Sequence, residues 1–586
     1  MLIKRIAKLK EHILSQSVSN SFEGNNDLFA VFLSVCNKKE RAKVFHGTGS
    51  SLSAAWVNAE KRLTEFQKKR ITRKKPLAAA WAKADIVTNY QEVPVDDLRQ
   101  IINKYELSNF TRVGLSFDRN FSRAFIEAEV NANKMLKHPP LKDNETPIDL
   151  KSVNRYLKSY SMSPVTEMPD KLTIFTARGF FCDESGAVHE LYHNDSDYGR
   201  RKIGVVDDKI LNDIIIGASL YLVNLIGDNG KFIYGYYPAS GNEIDNYNIV
   251  RHAGTIWSII NLYRMRRDDG LIGKLDKAID YMYEAIDCKD ADTAYLIEIK
   301  SNEVKLGANG VAVIMLTEYM SVFSGEKHLD MVKKLANGIL ELQNPETGKY
   351  WHVLNFPDYS KKEEFRTIYY DGEAAFALAR AYSVTKDEKY LNGAKAAIEY
   401  FIANKYSKYR DHWVSYSVLE VLKYVSDPRY YDFGIQNFED NRINIYGRAR
   451  SYQTNLELMM ASWQIYQKAV NEGIKSGYIQ NYDPAPFAKT IYHRARHMLN
   501  GYFYPEHAMY MKYPSTVEGS FFMRDDNFRV RIDDVQHFIG GYYFYCLYFN
   551  EIRRYLDEPL QLLKPEVPQE LEAIINDFKP DNSSNK

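Results

Sequence analysis

The stretch TEYMSVFSGEKHLDMVKKLANGIL, at residues Thr317–Leu340, returns in altered form as ARAYSVTKDEKYLNGAKAAIEYFI at Ala379–Ile402. The two stretches align without gaps at an offset of 62 residues. Coinciding residues include Val322 with Val384, Glu326 with Glu388, Lys327 with Lys389, and Leu329 with Leu391. A weaker copy begins 119 residues before the second one, where Tyr263 falls opposite Tyr382. Each copy reads as a helix, a short turn and a second helix, so the chain repeats a helical pair.

Helical pairs with this pattern continue to both sides of the repeat. They are predicted near residues 252–286, 309–342, 370–404, 411–438 and 453–499, with single helices at 208–226 and 534–556. One amphipathic pair cannot bury its apolar face alone, whereas a closed ring of pairs can. If the last helix packs beside the first, the ring closes with six pairs. We therefore predict a mainly α protein, an (α/α)6 toroid with a small N-terminal α+β domain.

The sequence divides into four predicted parts. Residues 1–140 form the small α+β domain, which begins with an amphipathic helix. Residues 141–204 are rich in Pro and polar residues and are predicted to be a linker with short strands. Residues 205–560 form the toroid, which carries the carbohydrate site, and residues 561–586 are a tail.

Composition narrows the possible partners. Lys and Arg number 77 against 76 Asp and Glu, so no net positive field favours nucleic acid. No run of about 18 apolar residues is present, so we expect no transmembrane segment. The chain has 44 Tyr, whose flat rings and hydroxyl groups suit carbohydrate as a partner. A homo-oligomer or a partner in a biosynthetic complex is compatible with this surface.

Cysteine usage and the N-terminus bear on location. Four Cys in 586 residues, none in a C-x-x-C pair, favour a reducing compartment and give no zinc or redox motif. The first 20 residues are basic and lack the continuous apolar core of a signal peptide. We predict a cytoplasmic protein that needs no cofactor.

The turns between paired helices carry a family resemblance. The turn Lys386–Leu391, KDEKYL, resembles those of the six-hairpin (α/α)6 glycosidase-like superfamily. That superfamily includes glycoside hydrolases, sugar 2-epimerases, uronyl C5-epimerases and toroid polysaccharide lyases. The resemblance covers about 350 residues. It implies the toroid fold and a carbohydrate substrate, but it brings no catalytic motif residue by residue.

In such a ring the loops before the inner helices line the cavity, and the loop Gly241–Thr255 is the first of them. Arg251 can fork onto a carboxylate such as that of a uronic acid, and His252 can act as a general acid or base. The alternative is a local pair of Arg251 with Asp245 and a capping role for His252. The candidates here are Glu243 and His252 for catalysis, and Asp245, Tyr247 and Arg251 for substrate binding.

The second loop is Thr367–Leu378, TIYYDGEAAFAL. Tyr370 and Asp371 are assigned to substrate binding, and the alternative for Asp371 is a helix N-cap. Glu373 falls in the first helical turn and is assigned to catalysis, because burial in a dry cavity would raise its pKa and make it an acid. The alternative is a carboxylate that the helix dipole stabilises.

The third loop places Asp411, His412 and Trp413 in succession at a helix start. This gives a catalytic carboxylate, an imidazole and a stacking platform. The alternative is an N-cap followed by a packed Trp.

The fourth group joins two stretches. Arg448 and Arg450 precede the helix of Glu457, while Asp533 and His537, after Arg531, are four residues apart and share a helix face. We assign all of them to substrate binding; the alternative is ordinary capping and pairing within each helix.

One spacing is that of metal ligands. His493 and His497 are four residues apart, but Arg494 and Arg496 lie between them and no Glu does. We interpret the pair as a solvated helix face and predict no metal site.

Three functions follow, and the sequence leaves them open. The first is a glycoside hydrolase with paired carboxylates drawn from Glu373, Asp411, Glu243 and Glu457. The second is a sugar or uronyl epimerase, or a polysaccharide lyase, that uses His or Tyr as a base and a cation to hold the substrate. The third is a non-catalytic glycan-binding or scaffold protein in surface-polysaccharide biosynthesis.

Overall fold

The computed structural model describes residues 2–15, 28–74, 78–103, 111–137, 141–142, 145–193, 197–323, 325–363, 367–524 and 526–556. The predicted tail, residues 561–586, lies outside these ranges.

The N-terminal domain is built on one antiparallel sheet whose seven described strands differ in length. Its helices are α1 Leu2–Ser15, α2 Leu52–Thr72, α3 Val95–Asn103, α4 Glu127–Ala132 and α5 Leu150–Ser159. Its strands are β1 Phe29–Cys36, β2 Lys43–Gly49, β3 Trp81–Pro94, β4 Gly114–Ser116, β5 Ala124–Phe125, β6 Lys171–Cys182 and β7 Val188–Glu190. The strand order is β2-β1-β3-β6-β4-β5, with β7 also paired to β6.

The stretch 141–204, predicted as a linker with short strands, contains a long strand of the N-terminal sheet. Strand β6 lies in the middle of the sheet and pairs with β3 from Lys171 opposite Pro94 to Cys182 opposite Ala82. Proline-rich breaks at 137–170 mark the connection into β6 rather than a boundary between domains. The N-terminal domain therefore extends through β7.

The toroid contains the remaining elements. Its helices are α6 Asp208–Asn224, α7 Ile249–Met265, α8 Gly270–Tyr283, α9 Leu306–Phe323, α10 Leu329–Glu341, α11 Thr367–Thr385, α12 Glu388–Ala403, α13 His412–Val421, α14 Pro428–Glu439, α15 Arg442–Gly447, α16 Thr454–Asn471, α17 Ala485–Met498, α18 Pro505–Ala508 and α19 Ile532–Arg553. Its strands are β8 Gly235–Tyr237, β9 Asn242–Glu243, β10 Ile286–Cys288, β11 Ala294–Glu298, β12 Glu303–Lys305, β13 Val353–Asn355, β14 Lys361–Glu363 and β15 Val530–Arg531.

Six helices form a closed inner ring. The contacts run from α7 to α9, α11, α13, α16 and α19, and α19 packs back on α7. The outer helices α6, α8, α10, α12, α14 and α17 each pack on inner ones, with α6 against both α19 and α7. The predicted (α/α)6 toroid, including its closure by the last helix, is confirmed.

Sequence explains which helix lies inside. In α9 every residue from Leu306 to Tyr319 is buried, as expected for a helix that is apolar all round. Helix α10 buries only one face, with Val332, Leu335 and Ile339 inward. Helix α9 is also the one described helix long and apolar enough to cross a membrane, but 78% of its apolar window is buried inside the protein.

The long connections all lie at one end of the ring. Inner helices lead to outer ones through short turns, such as the one between Thr385 and Glu388. The return connections are longer and carry β8–β15, and β12 and β15 run directly into α9 and α19. The N-termini of the inner helices therefore open toward these connections, which is where a site is expected.

Glycine lets neighbouring inner helices approach closely. A Cβ at Gly310 of α9 would lie 2.9 Å from the backbone carbon and oxygen of Glu373 in α11. A Cβ at Gly372 would lie 2.6 Å from the backbone nitrogen of Val414 in α13. Backbone atoms cannot rotate away as a side chain can, so the narrow ring depends on these glycines.

We expect Gly310→Ala to lower the free energy of unfolding by about 1–3 kcal/mol, because the added methyl group overpacks the α9–α11 contact. Gly273 in α8 is the matched control, since no atom lies within 4 Å of its Cβ position. There Ala should stabilise by about 0.5–1 kcal/mol through its higher helix propensity. Denaturant midpoints measure both variants, and equal midpoints would contradict the close packing of α9 on α11.

Candidate functional site

Three polar side chains from consecutive inner helices meet near the N-terminal end of the ring. His412 is the first residue of α13, Glu457 lies in the first turn of α16, and His537 lies in α19. His537 Nδ1 is 2.7 Å from Glu457 Oε2, and His412 Nε2 is 3.6 Å from the same oxygen. The two imidazole rings meet edge to face at 5.1 Å. The structure thus joins three residues that the sequence placed in two separate groups.

The surroundings shift the pKa values of the two imidazoles in opposite directions. Burial, and then the charge of His537, lowers the pKa of His412 well below its usual value. Burial alone would lower the pKa of His537 too, but the charge and hydrogen bond of Glu457 raise it above the usual value. The surroundings therefore favour the neutral form of His412 and the protonated form of His537.

His412 keeps both nitrogens available. It is 1% exposed, and neither ring nitrogen makes a hydrogen bond to any part of the chain that the structure describes. Its other carboxylate neighbour, Asp411 Oδ1, is 3.8 Å from Nδ1. The ring of Tyr369 packs edge-on against the imidazole at 5.6 Å. A buried imidazole without hydrogen bonds is costly, which is typical of a group kept for function.

Glu457 is held on its second oxygen by Tyr416. The Tyr416 hydroxyl donates to Glu457 Oε1 over 3.2 Å. That oxygen lies over Gly540 of α19, where a Cβ would come within 2.5 Å. Burial raises the pKa of Glu457, while His537 and Tyr416 lower it.

An aromatic layer lies next to the three polar residues. Trp257 and Trp413 are 5.6 Å apart, and Phe376 stacks on Tyr416 at 5.7 Å. Trp413 also contacts the ring of His537 at 6.4 Å. Flat aromatic faces of this kind suit the C–H surfaces of a sugar ring.

Asp411 is the N-cap of α13, as the alternative interpretation predicted. Its Oδ1 accepts from the backbone nitrogen of Trp413 at 2.9 Å, and its Oδ2 accepts from that of Tyr369 at 2.8 Å. Tyr369 has φ 86° and ψ −54°, a conformation that is strained for a residue other than Gly. Asp411 therefore holds Tyr369 against His412. Burial raises the pKa of Asp411 to about 7.

We expect Asp411→Ala to lower the free energy of unfolding by about 2–4 kcal/mol, because it removes a cap and leaves a buried N–H unpaired. Asp411→Asn keeps a hydrogen-bond acceptor and should lower the free energy of unfolding by less. The raised pKa means that the carboxyl supports folding below about pH 4 and loses this support as the pH rises through about 7. Relative to wild type, the Asn variant should therefore gain stability over that range. A hundredfold loss of activity in a stable Asn variant would instead make Asp411 a catalytic acid.

The start of α11 differs from the prediction. The helix is regular only from Tyr370, so Asp371 lies within its first turn and is not the N-cap. Asp371 Oδ1 is 2.8 Å from His352 Nε2, and its Oδ2 accepts from the Tyr406 hydroxyl at 2.7 Å. Tyr370 is buried against His352. These contacts anchor α11 to its neighbouring loops.

Glu373 is buried, and its carboxylate lies over Gly307 of α9. The carboxylate of Glu457 lies between α16 and α19. In the order of the ring, the α9–α11 contact is opposite the α16–α19 contact, so the two carboxylates lie on opposite sides of the ring.

The first loop does not deliver its residues to the three polar side chains. Glu243, in β9, and Asp245, two residues further on, are exposed. His252 is fully buried, with Nε2 on the carbonyl of Ala278 at 2.8 Å and Nδ1 on the Tyr247 hydroxyl at 2.6 Å. Burial lowers the pKa of His252 to about 4. The placement favours a structural role over the predicted catalytic role for His252 and over the predicted substrate-binding role for Tyr247.

Arg251 of α7 pairs with the neighbouring inner helix α19 rather than with its own loop. Its Nε is 2.8 Å from Asp533 Oδ2, so the alternative interpretation, a local pair with Asp245, is wrong. Arg531 also binds Asp533, with NH2 2.7 Å from Oδ2. Burial alone would raise the pKa of Asp533, but the charges of Arg531 and Arg251 hold it well below its usual value. Asp533 thus faces two arginines, while His537, four residues on, faces Glu457.

Arg448 and Arg450 lie on the loop before α16. The guanidinium of Arg448 is 4.4 Å above the ring of Tyr452, whose hydroxyl is 3.0 Å from that of Tyr369. Behind the loop, His497 is 8% exposed and His493 stacks on Tyr446 at 4.2 Å. The prediction of a solvated face for this histidine pair is wrong, because α17 turns it inward.

One group in the described part of the chain has the composition of a metal site, namely His412, Glu457 and His537. Two ligands of a tetrahedral zinc ion, each about 2.0–2.1 Å from it, would be roughly 3.3 Å apart. The 2.7 Å separation of His537 Nδ1 and Glu457 Oε2 is that of a hydrogen bond. The geometry therefore fits a proton-carrying pair better than a pair of metal ligands.

Sequence reasoning missed Tyr369, Tyr416, Tyr452 and Trp257. Tyr369 and Tyr452 stand within three residues of predicted site residues, which was an available signal. Tyr416 is one turn after His412 and shares its helix face. Trp257 lies well inside α7, and no local pattern separates it from ordinary core residues.

Comparison with known proteins gives likenesses among solved structures only. No protein-family model matches the chain, and no curated protein matches it. The chain is similar to cellobiose 2-epimerase from Bacillus thermoamylovorans B4167, with 16% identity over 59% of this chain and 100% of that one and a TM-score of 0.45. It is similar to a D-mannose isomerase at 12% identity, over 59% and 98% of the two chains, with a TM-score of 0.44. It is also similar to the α-mannanase of Bacteroides thetaiotaomicron at 12% identity, over 59% and 87%, with a TM-score of 0.30.

Proposed function

We propose that this protein is a carbohydrate-active enzyme that moves a proton at a sugar carbon, as an epimerase or isomerase. The observation that carries the proposal is the histidine pair, with His412 held neutral and His537 held protonated. Sequence alone favoured a hydrolase, and the geometry supports its first alternative more strongly.

The chemistry follows from this pair. The free imidazole nitrogen of His412 removes a proton from a carbon next to a carbonyl group, and the electron pair moves to the carbonyl oxygen as an enediolate forms. The imidazolium of His537, held by Glu457, supplies the proton that restores a C–H bond. Return to the same carbon on its other face gives an epimer, and return to the neighbouring carbon gives an isomer. The aromatic layer of Trp257 and Trp413 supplies a face for the sugar.

A glycoside hydrolase is the second candidate. The opposite placement of Glu373 and Glu457 around the ring favours it, because hydrolysis needs two carboxyl groups on either side of the bond. Asp411 adds little to that case, since both of its oxygens accept backbone N–H groups.

The test incubates the wild-type protein in D2O with neutral, amino and acidic sugars and their oligosaccharides, followed by NMR. Deuterium at a sugar carbon together with a new epimer or isomer supports the proposal. New reducing ends that are lost in Glu373→Gln would make the protein a hydrolase. A ligand-induced rise in melting temperature with no product of either kind would overturn both and leave a glycan-binding protein.

A further inference from the structure

The loop Arg448–Arg450 is held from behind at three consecutive carbonyl groups. Arg494 donates from NH1 to the carbonyl of Arg448 at 2.6 Å and from NH2 to that of Arg450 at 2.8 Å. His497 Nε2 lies 2.9 Å from the carbonyl of Ala449. Two side chains of the outer helix α17 thus set the path of this loop.

Holding the loop in this way costs free energy of folding, because it buries a cation. Arg494 is fully buried and has no carboxylate partner in the described part of the chain. Burial, and then the charge of Arg448, lowers the pKa of Arg494 to about 9. A buried cation without a counter-ion is destabilising unless its hydrogen bonds offset the loss of water. Such an arrangement is expected where the loop must present its own side chains in one position.

The loop presents Arg448 toward the proposed catalytic pair. The Arg448 guanidinium covers the ring of Tyr452, the hydroxyls of Tyr452 and Tyr369 are 3.0 Å apart, and the Tyr369 ring contacts His412. Arg448 is therefore separated from His412 by two tyrosines. Arg410 stands two residues before His412 in the sequence and has a left-handed backbone with φ 55°.

Neither of these two arginines is neutralised. Within the described ranges, no Asp or Glu pairs with the guanidinium of Arg448 or Arg410. Burial lowers the pKa of Arg448, and the positive charges of Arg410 and Arg450 act in the same direction. Like charges held together without a carboxylate attract an anion, and guanidinium groups bind phosphate and carboxylate in forked geometry.

Arg251 was predicted from the sequence to bind a substrate carboxylate, but its guanidinium already has partners within the protein. Its guanidinium is taken by Asp533 and by the hydroxyl of Tyr234 at 2.5 Å. The positive charge that no carboxylate pairs with in the described ranges therefore belongs to Arg448, on the loop before α16, and to Arg410.

We propose that Arg448, together with Arg410, forms an anion subsite that Tyr452 and Tyr369 connect to His412, so that the substrate is a sugar bearing a phosphate or carboxylate group. The inference rests on the proposed function for its reaction, but the subsite can be tested by binding alone.

The experiment measures binding by calorimetry on His412→Gln, which cannot turn over substrate, and kinetics on the active enzyme. The probes are glucose, glucuronate and glucose 6-phosphate. Arg448→Gln should weaken binding of the preferred anionic probe about 10- to 100-fold and raise its KM with little change in kcat. Arg448→Lys should restore part of the affinity, and glucose should be unaffected. Arg429→Gln is the matched control, because Arg429 is exposed on α14 and pairs with Asp427 and Glu399.

The outcomes separate the two proposals. A preference for glucose 6-phosphate or for glucuronate supports the subsite and identifies its anion. Arg448-dependent binding of an anionic probe without any proton exchange keeps the subsite and overturns the proposed reaction. Equal binding of all three probes, unchanged in a folded Arg448→Gln variant, overturns the subsite even if the enzyme exchanges protons.

Discussion

Replacing His412 with glutamine is expected to lower kcat for solvent-proton exchange by about 10²- to 10⁴-fold, the usual contribution of a general base. Glutamine approximates the volume of the imidazole ring but has no basic nitrogen. The burial of His412 keeps the wild-type ring neutral, so the loss should persist at every pH where the protein is folded. Deuterium incorporation followed by NMR, with the best sugar from the panel, measures the effect.

His189→Gln is the control for this substitution. His189 lies in β7 of the N-terminal domain and pairs with Asp183 at 2.8 Å, far from the ring of inner helices. It should retain wild-type exchange. A folded His412→Gln variant with more than a tenth of wild-type kcat would remove His412 from the reaction and weaken the case for an isomerase or epimerase.

The second large effect concerns Glu457→Gln, which removes the charge that keeps His537 protonated. The raised pKa of His537 means that activity requiring the imidazolium is present at lower pH and falls as the pH rises through that pKa. Without the Glu457 charge, this fall should move to lower pH. At pH 8 we expect kcat/KM about tenfold or more below wild type, with a smaller difference at pH 6, because each unit of pKa changes the protonated fraction up to tenfold.

Tyr416→Phe is matched to this variant. It removes the other hydrogen bond of Glu457 and leaves the carboxylate and its contact with His537 in place. Its pH profile should keep the position of the wild-type descent. Identical profiles for Glu457→Gln and wild type would show that the Glu457–His537 pair does not set the acid of the reaction.

The architecture was predictable because the repeat and the apolar helix faces are local features of the sequence. The 62-residue repeat identified paired helices, and burial of their apolar faces required a closed ring. Inner and outer helices could be separated by the width of the apolar face, as α9 and α10 illustrate. The position of β6 was not predictable, since a strand between Pro-rich segments gives no local sign of its partner β3.

The sequence identified the individual residues of the site, but not which of them lie together. His412, Glu457 and His537 were each named, but their grouping depends on contacts between residues 45 to 125 positions apart in the sequence, which no local spacing records. Arg251 shows the opposite failure, because a nearby Asp245 suggested a partner and the fold supplied Asp533 instead. Strain at Tyr369 was also invisible, since it arises from the Asp411 carboxylate on another loop.

The closure of the ring by α19 has a consequence for how the chain folds. Tyr545 of α19 donates a hydrogen bond to the carbonyl of Val206 over 2.9 Å, across 339 residues of sequence. Contacts of such separation slow folding, because a long loop must close before they stabilise anything. At synthesis rates of 5–20 residues per second, roughly 15–60 s separate the emergence of α6 from that of α19. During that interval the apolar sides of α6 and α7 lack their last neighbour, so aggregation and chaperone binding compete with completion of the toroid.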